Sequence, residues 1–208
     1  MQTENVAGNY YDKYASSNPI ERRMMNGFFG ALDAALESLA PAVVVEIGCG
    51  EGHVTAHLRQ RFPDASLVGL DLPDDELRDH WASVPIPMMF GDINSLPFDD
   101  RSIDLVVALE VLEHVPTPAQ ALAELARVCR GTAVVSVPRE PIWRIGNMAR
   151  GRYLRGLGNT PGHVNHWSKR SFRNFVATEF EVASVWAPLP WTMARLRPRG
   201  LAAPRRVA

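Results

Sequence analysis

Apolar residues at Ile20, Met24, Phe28, Leu32, Ala35, Leu36 and Leu39 recur every three or four positions, which predicts one helix within 18–40. Asn18 stands where a cap belongs, Pro19 suits the first turn, and Pro41 is expected to end the helix. The pattern then changes. VVVEI at 43–47 is a continuous β-branched run, as a strand buried on both faces requires. GEGHVTAHLRQRF predicts a helix from the glycines to Phe62, SLVGLDL a second strand and DDELRDHWAS a second helix of this repeating unit. PMMFGDI holds a short third strand over 88–93, and a fourth runs from Asp104 to Leu109. PAQALAELARVCR places Leu122, Leu125 and Val128 on one helical side, and TAVVSVP is a fifth strand closed by Pro138. Strands alternating with helices imply a mostly parallel α/β sheet covered on both faces.

The rhythm stops after Pro138. Residues 139–167 hold no further strand–helix unit and read as an insertion, the kind of segment that serves as a lid or binding loop. SKRSFRNFVATEF resumes a helix capped by Ser168 or Ser171. EVASVWAP and PWTMARLR predict a closing hairpin around Pro188 and Pro190, with a frayed tail after it. The expected organisation is one domain over 1–208: a helical lid (1–40), a core (41–138), the insertion (139–167), and a C-terminal helix and hairpin (168–208).

Within the core, VVVEIGCGEG breaks an apolar run into three alternating glycines, and Asp71 ends the next strand. Gly48 and Gly50 let the backbone approach a ligand, and Gly52 helps the turn enter a helix whose N–H groups face that ligand. A carboxylate at Asp71 can accept hydrogen bonds from both hydroxyls of a ribose. Asp92 and Ile93 follow the third strand, where a polar group and an apolar wall can flank an adenine. Each feature alone is common in turns. In a parallel sheet the three strand ends lie side by side, and a nucleoside along that edge accounts for all of them.

Composition narrows the setting. At 208 residues and 46% hydrophobic, the chain can bury one sizeable core. No window has the length of a membrane span, and MQTENVAGNYYDKY lacks the layout of a secretion signal. Cys49 and Cys129 are too few for a disulfide scaffold or a structural zinc site, so a reducing cytoplasm is expected. Charge is uneven: residues 1–138 carry 9 basic and 20 acidic side chains, residues 139–208 carry 13 and 3. The second part favours anions, although solvated arginines alone account for such a balance too.

The set VVVEIGCGEG, GLDL and FGDINSLPFDDRSIDLVVALEVLEHV resembles the class I S-adenosylmethionine-dependent methyltransferases, particularly the small-molecule branch that includes quinone-biosynthesis enzymes. The resemblance is close over 43–138 and looser in NYYDKYASSNP and the final hairpin. It implies a Rossmann-like fold, a mostly parallel seven-stranded sheet with a C-terminal antiparallel hairpin and helices on both faces. It implies S-adenosyl-L-methionine as cofactor and S-adenosyl-L-homocysteine as product. On that resemblance Glu46, Gly48 and Gly50 hold the methionine end, Asp71 the ribose, and Asp92 and Ile93 the adenine. Glu110 is expected near the amino group, and Cys49, Leu72 and Tyr14 complete the cofactor set. By its residue type, Cys49 reads as a small buried filler rather than a nucleophile.

A nicotinamide oxidoreductase is the rival, but its GxGxxG turn needs Gly or Ala where this chain has His53. A non-catalytic cofactor-binding protein is a further alternative. A macromolecular acceptor such as RNA is disfavoured because the basic stretch is short and no RNA-binding module is appended. The expected reaction is methyl transfer to a small molecule, an O-methylation of a pathway metabolite. An oxygen acceptor benefits from a general base, and His114, His163, His166 and Glu140 are the candidates, the histidines each with a plain structural role as alternative. His163 and His166 stand three apart without a nearby acid or cysteine in sequence, so no metal is expected. Arg139, Arg144, Arg152 and Trp167 are the candidate acceptor contacts, with guanidinium groups holding an anion. The insertion, with NYYDKYASSNP, is expected to form the acceptor pocket.

Overall fold

A computed structural model of the chain describes residues 18–200. The sheet grows outward from β1 (Val43–Ile47), which pairs in parallel with β2 (Ser66–Asp71) on one side and β4 (Ile103–Leu109) on the other. β3 (Met88–Phe90) extends the first side, β5 (Cys129–Pro138) the second. β6 (Phe180–Trp186) and β7 (Trp191–Pro198) close the sheet, β7 running antiparallel to both β5 and β6. The resulting order is β3-β2-β1-β4-β5-β7-β6. Strand order reverses direction between β1 and β4, and in open α/β sheets a ligand crevice forms at such a switch point, outside the carboxyl ends.

Helices cover both faces. Residues alternate along the central strands: Val44, Leu105 and Val107 pack on one face, Val45, Val106 and Ala108 on the other. The first face is covered by α1 (Pro19–Leu36) and α2 (His53–Arg61), the second by α4 (Pro118–Val128) and α6 (Lys169–Val176). α3 (Asp75–Trp81) links β2 to β3, and α5 (Ile142–Ala149) lies inside the 139–167 segment with Trp143 packed against the α1 side. No helix among the described residues is long and apolar enough to cross a membrane.

The expected boundaries shift at several places, among them α4, which ends at Val128, and β5, which begins at Cys129 rather than Thr132. α1 stops at Leu36, not at Pro41, because Ser38 takes a left-handed conformation (φ 64°) and the chain turns there. α2 starts at His53, since Gly52 at φ 87° is its cap and stays outside the helical region. The 139–167 segment adds no strand but contains α5 and a 3₁₀ turn at Leu154–Gly156. Asn18 caps α1 by accepting from Ile20 N–H, and Ser168 and Ser171 cap α6 reciprocally, so both serines take part. Tyr14 and the 201–208 tail lie outside the described residues.

Two polar clasps hold the loops that shape the sheet edges. The Asp104 carboxylate, at the start of β4, accepts from Ala42 N–H and Val43 N–H at 3.0 Å each and forms a two-pronged pair with Arg130 at 2.5 and 2.9 Å. The guanidinium of Arg130 holds the Asp104 carboxyl below the usual carboxylate range. Arg127 on α4 donates to the Leu96 and Phe98 carbonyls and to Glu124 and Asp100, pinning the stretch that follows β3. Asp104→Ala removes a charged acceptor shared by two strands and is expected to cost about 1–3 kcal/mol in urea unfolding. Because the folded pKa is depressed, this contribution exists above the carboxyl's unfolded value and fades as pH falls through the folded one. An unchanged urea midpoint at neutral pH would contradict that role.

Candidate functional site

The glycine loop is bound to the end of β2 by its own backbone. Gly48 N–H and Cys49 N–H donate to the Leu70 carbonyl at 2.7 and 3.1 Å, and Gly50 N–H donates to Asp71 Oδ2 at 2.6 Å. The other Asp71 oxygen accepts from Leu72 N–H at 2.7 Å. Gly48 and Gly50 lie at φ 74° and 49°, a region that side chains oppose. A Cβ on Gly48 would sit 2.3 Å from Val111, whereas one on Gly50 would meet nothing within 4 Å and would project into open space. Trp81 donates its indole N–H to the Gly50 carbonyl at 2.8 Å and so braces the loop from α3.

A cleft of about 720 Å³ opens along this edge, in the size range of ligand sites. Glu46, Gly48, Cys49 and Gly50 line it from the first strand's end, Asp71 and Leu72 from the second. Asp92, Ile93, Glu110 and His114 line it from beyond β3 and β4. Asp92 Oδ1 accepts from Asn94 N–H at 2.8 Å, while Ile93 is buried and Leu72 is half exposed, two apolar flanks beside a polar group. Glu110 has φ 62° and its Oε1 accepts from Ser136 Oγ at 2.8 Å.

Two carboxyls in the cleft are pushed towards protonation. Glu46 is 3% exposed, and burial raises it to about 8, with the Asp71 charge adding and the Thr55 hydroxyl, which donates to it, opposing. Burial likewise raises Asp71, against the pull of its two backbone N–H donors. Cys49 is buried, and burial pushes its thiol far up, which disfavours the thiolate form.

The remaining predicted site residues sit elsewhere. His163 is buried, stacked on Trp143 at 5.8 Å and edge-on to His114 at 4.8 Å, behind the cleft wall rather than on it. His166 is exposed and bonded to Asn159 Oδ1 at 2.6 Å. Arg144 faces Glu140 at 3.8 Å, and Arg139 bridges to Trp167 through the backbone. Trp167 is a core residue against Phe172 and Phe175. None of His163, His166, Arg139, Arg144, Arg152 or Trp167 lines this cleft.

Sequence reasoning passed over Thr55, Trp81, Asn94 and Glu113. Thr55 lies in the first turn of α2, where a side chain faces back to the loop, so a helix starting at His53 would have pointed to it. Trp81 and Glu113 carry no such local signal.

A sheet of this order with a glycine loop, a second-strand acid and a cleft at the switch point defines a nucleoside-binding α/β fold. The model of the methyltransferase domain matches residues 45–137. Malonyl-[acyl-carrier protein] O-methyltransferase of Dechloromonas aromatica is 32% identical over 64% of this chain and 47% of its own. Demethylmenaquinone methyltransferase of Roseiflexus castenholzii is 30% identical over 76% of this chain and 71% of its own. The solved S-adenosylmethionine-dependent methyltransferase of Mesorhizobium loti superposes with a TM-score of 0.63 at 19% identity, covering 82% of this chain and 97% of that one. The chain belongs to the class I S-adenosylmethionine-dependent methyltransferases. It spans less than half the length of the Dechloromonas relative.

Glu46 gives this site a pH signature in the free protein. Its folded pKa lies above the unfolded 4.5, so the folded state keeps a proton that the unfolded chain releases. Its contribution is therefore full below the unfolded value and is lost as pH rises to about 8. Glu46→Gln abolishes this loss, so its advantage over the parent in urea unfolding should widen between pH 5 and pH 8 and then level off. A constant difference at all pH values would refute a buried, protonated Glu46.

Proposed function

We infer that the protein transfers a methyl group from S-adenosylmethionine to a small-molecule acceptor, with oxygen as the methylated atom. The observation that carries this is the convergence of Glu46, Gly50, Asp71 and Asp92 on one cleft. Each Asp71 oxygen spends one lone pair on a backbone N–H and retains capacity for a ribose hydroxyl. The open space over Gly50 is what a close-lying cofactor needs. Glu46 is an acid that a cationic ammonium would ionise on binding, and Asp92 with Leu72 and Ile93 offers the polar and apolar sides of an adenine site.

When bound, the cofactor supplies a methyl activated by its sulfonium. The chain's task is then to align an acceptor in line with that methyl and keep water out. His114 is the candidate base that reaches the cleft, and its Nδ1 faces the Gly162 carbonyl at 3.1 Å. A carbonyl only accepts, so in the neutral ring Nδ1 carries the proton and Nε2 the lone pair. The two curated relatives are named for acceptors that are a carrier-bound malonyl group and a demethylmenaquinone, which supports a small or carrier-borne acceptor here.

Calorimetry tests the cofactor half. Asp71→Ala should weaken S-adenosylhomocysteine binding by about 10- to 100-fold, the worth of one or two hydrogen bonds to a charged group. Parent-like affinity, or preference of the parent for a nicotinamide dinucleotide, would overturn the reading. The basic balance of 139–208 supports an anionic acceptor. Neither Arg144 nor Arg152 lines the cofactor cleft, so this reading puts the acceptor's anionic end over the 139–167 segment. Arg144→Ala or Arg152→Ala should then raise the acceptor KM by about 10-fold or more while cofactor affinity stays put. Normal kinetics in both variants would leave those arginines as surface groups.

A further inference from the structure

The fold brings together three donors that sequence spacing keeps apart. Glu113 and His114 belong to the 3₁₀ turn after β4 (Leu112–His114), and His163 comes from the insertion. One ligand atom from each lies within 4.8 Å of the others. In sequence, His163 has only His166 beside it. In the structure His166 turns outward to Asn159, and the partners of His163 are an acid and an imidazole nearly fifty residues upstream.

We propose that Glu113, His114 and His163 form a binding site for a divalent transition metal of the zinc type. Two imidazoles and one carboxylate are a donor set that zinc accepts with a fourth position left open. The setting supports ligation in three respects. Glu113 is 1% exposed and His163 8%, so an ion held between them would be shielded from water. His114 has its Nδ1 on the Gly162 carbonyl at 3.1 Å, the outer contact that orients a ligating imidazole and leaves the lone pair on Nε2. The two segments of the site are also fixed to one another. Val164 N–H and Asn165 N–H donate to the Glu113 carbonyl at 2.9 and 3.0 Å, and Asn165 Nδ2 donates to the Leu112 and Val115 carbonyls at 3.0 and 2.7 Å.

Distance sets what must move. Ligand atoms around tetrahedral zinc at about 2.0–2.1 Å lie roughly 3.3 Å apart. Closing from 4.8 Å needs side-chain rotations of about 1.5 Å, which exposed His114 can supply most readily while the backbone clasp stays intact. His114 also lines the cleft, so the open position of a bound ion would lie towards it. There, in a consequence that rests on the methyl-transfer reading, the ion would lower the pKa of an acceptor hydroxyl and take over from the imidazole as its activator. The site itself does not depend on that reading.

The test uses the full chain, zinc chloride alone and no acceptor. Competition with a fluorescent zinc chelator should give one equivalent bound, weakened about 100-fold or more in both His163→Ala and Glu113→Gln. His166→Ala should bind like the parent, because its ring faces away from the cluster. Cobalt(II) titrated into the parent should produce the intense visible d–d bands of a tetrahedral centre, a readout that survives if a variant fails to fold. Substoichiometric zinc binding by the parent, or parent-like binding by both cluster variants, would overturn the proposal. Cofactor binding measured in the same samples separates its failure from failure of the methyltransferase reading.

Discussion

The last two residues of β2 hold the glycine loop, and the rest of the site depends on that attachment. Three successive loop N–H groups, from Gly48, Cys49 and Gly50, are satisfied by the Leu70 carbonyl and the Asp71 carboxylate. Backbone donors at the mouth of a cleft would otherwise have to be met by water or ligand. The attachment requires positive φ at Gly48 and Gly50, and it also requires Gly69 on β2. A Cβ there would lie 2.9 Å from Cys49 Sγ and 2.3 Å from Met88 Sδ. Glycine is needed on both sides of the contact, for conformation in the loop and for proximity in the strand.

The same attachment concentrates carboxyl groups. Glu46 and Asp71 are drawn into one partly desolvated edge, where burial raises both and the Asp71 charge adds to the cost of ionising Glu46. Glu110 joins them at the cleft with a hydroxyl from Ser136. A site so arranged is poorly matched to a free pyrophosphate and well matched to a ligand with hydroxyls and positive charge. S-adenosylmethionine carries both, in its ribose and in its ammonium and sulfonium groups.

The insertion is tied to the core by Trp143 and Trp167, which pack against its two faces, and to this edge by polar backbone contacts. Asn165 and the Glu113 carbonyl connect it to the turn after β4, and Glu140 N–H donates to the Trp167 carbonyl at 2.8 Å across its base. Within it, Asn147 donates to the Gly158 carbonyl, and Trp143 to Thr160 Oγ1. Several of its apolar side chains face outward, Ile145, Leu154 and Leu157 among them. The segment's shape is therefore set by hydrogen bonds to two ends of the core, which periodicity does not record.

By itself the sequence determined the alternation of strands and helices, the parallel core and the edge on which the glycine loop, Asp71 and Asp92 meet. These follow from local rules: β-branched runs for buried strands, helical spacing of apolar residues, and glycines where no side chain fits. It also determined the antiparallel close of the sheet, from two strand patterns around prolines. Tertiary structure decided the rest. Whether an arginine or histidine of 139–167 reaches the cleft depends on how a segment without periodic pattern folds back, and that is settled by Asn147, Asn159 and Asn165. The partners of Glu46 and His163 were likewise set by the fold, since Thr55 meets one across a turn and Glu113 meets the other across fifty residues. Local patterns specify elements because backbone periodicity is local; side-chain partners between elements are specified only when the core has closed.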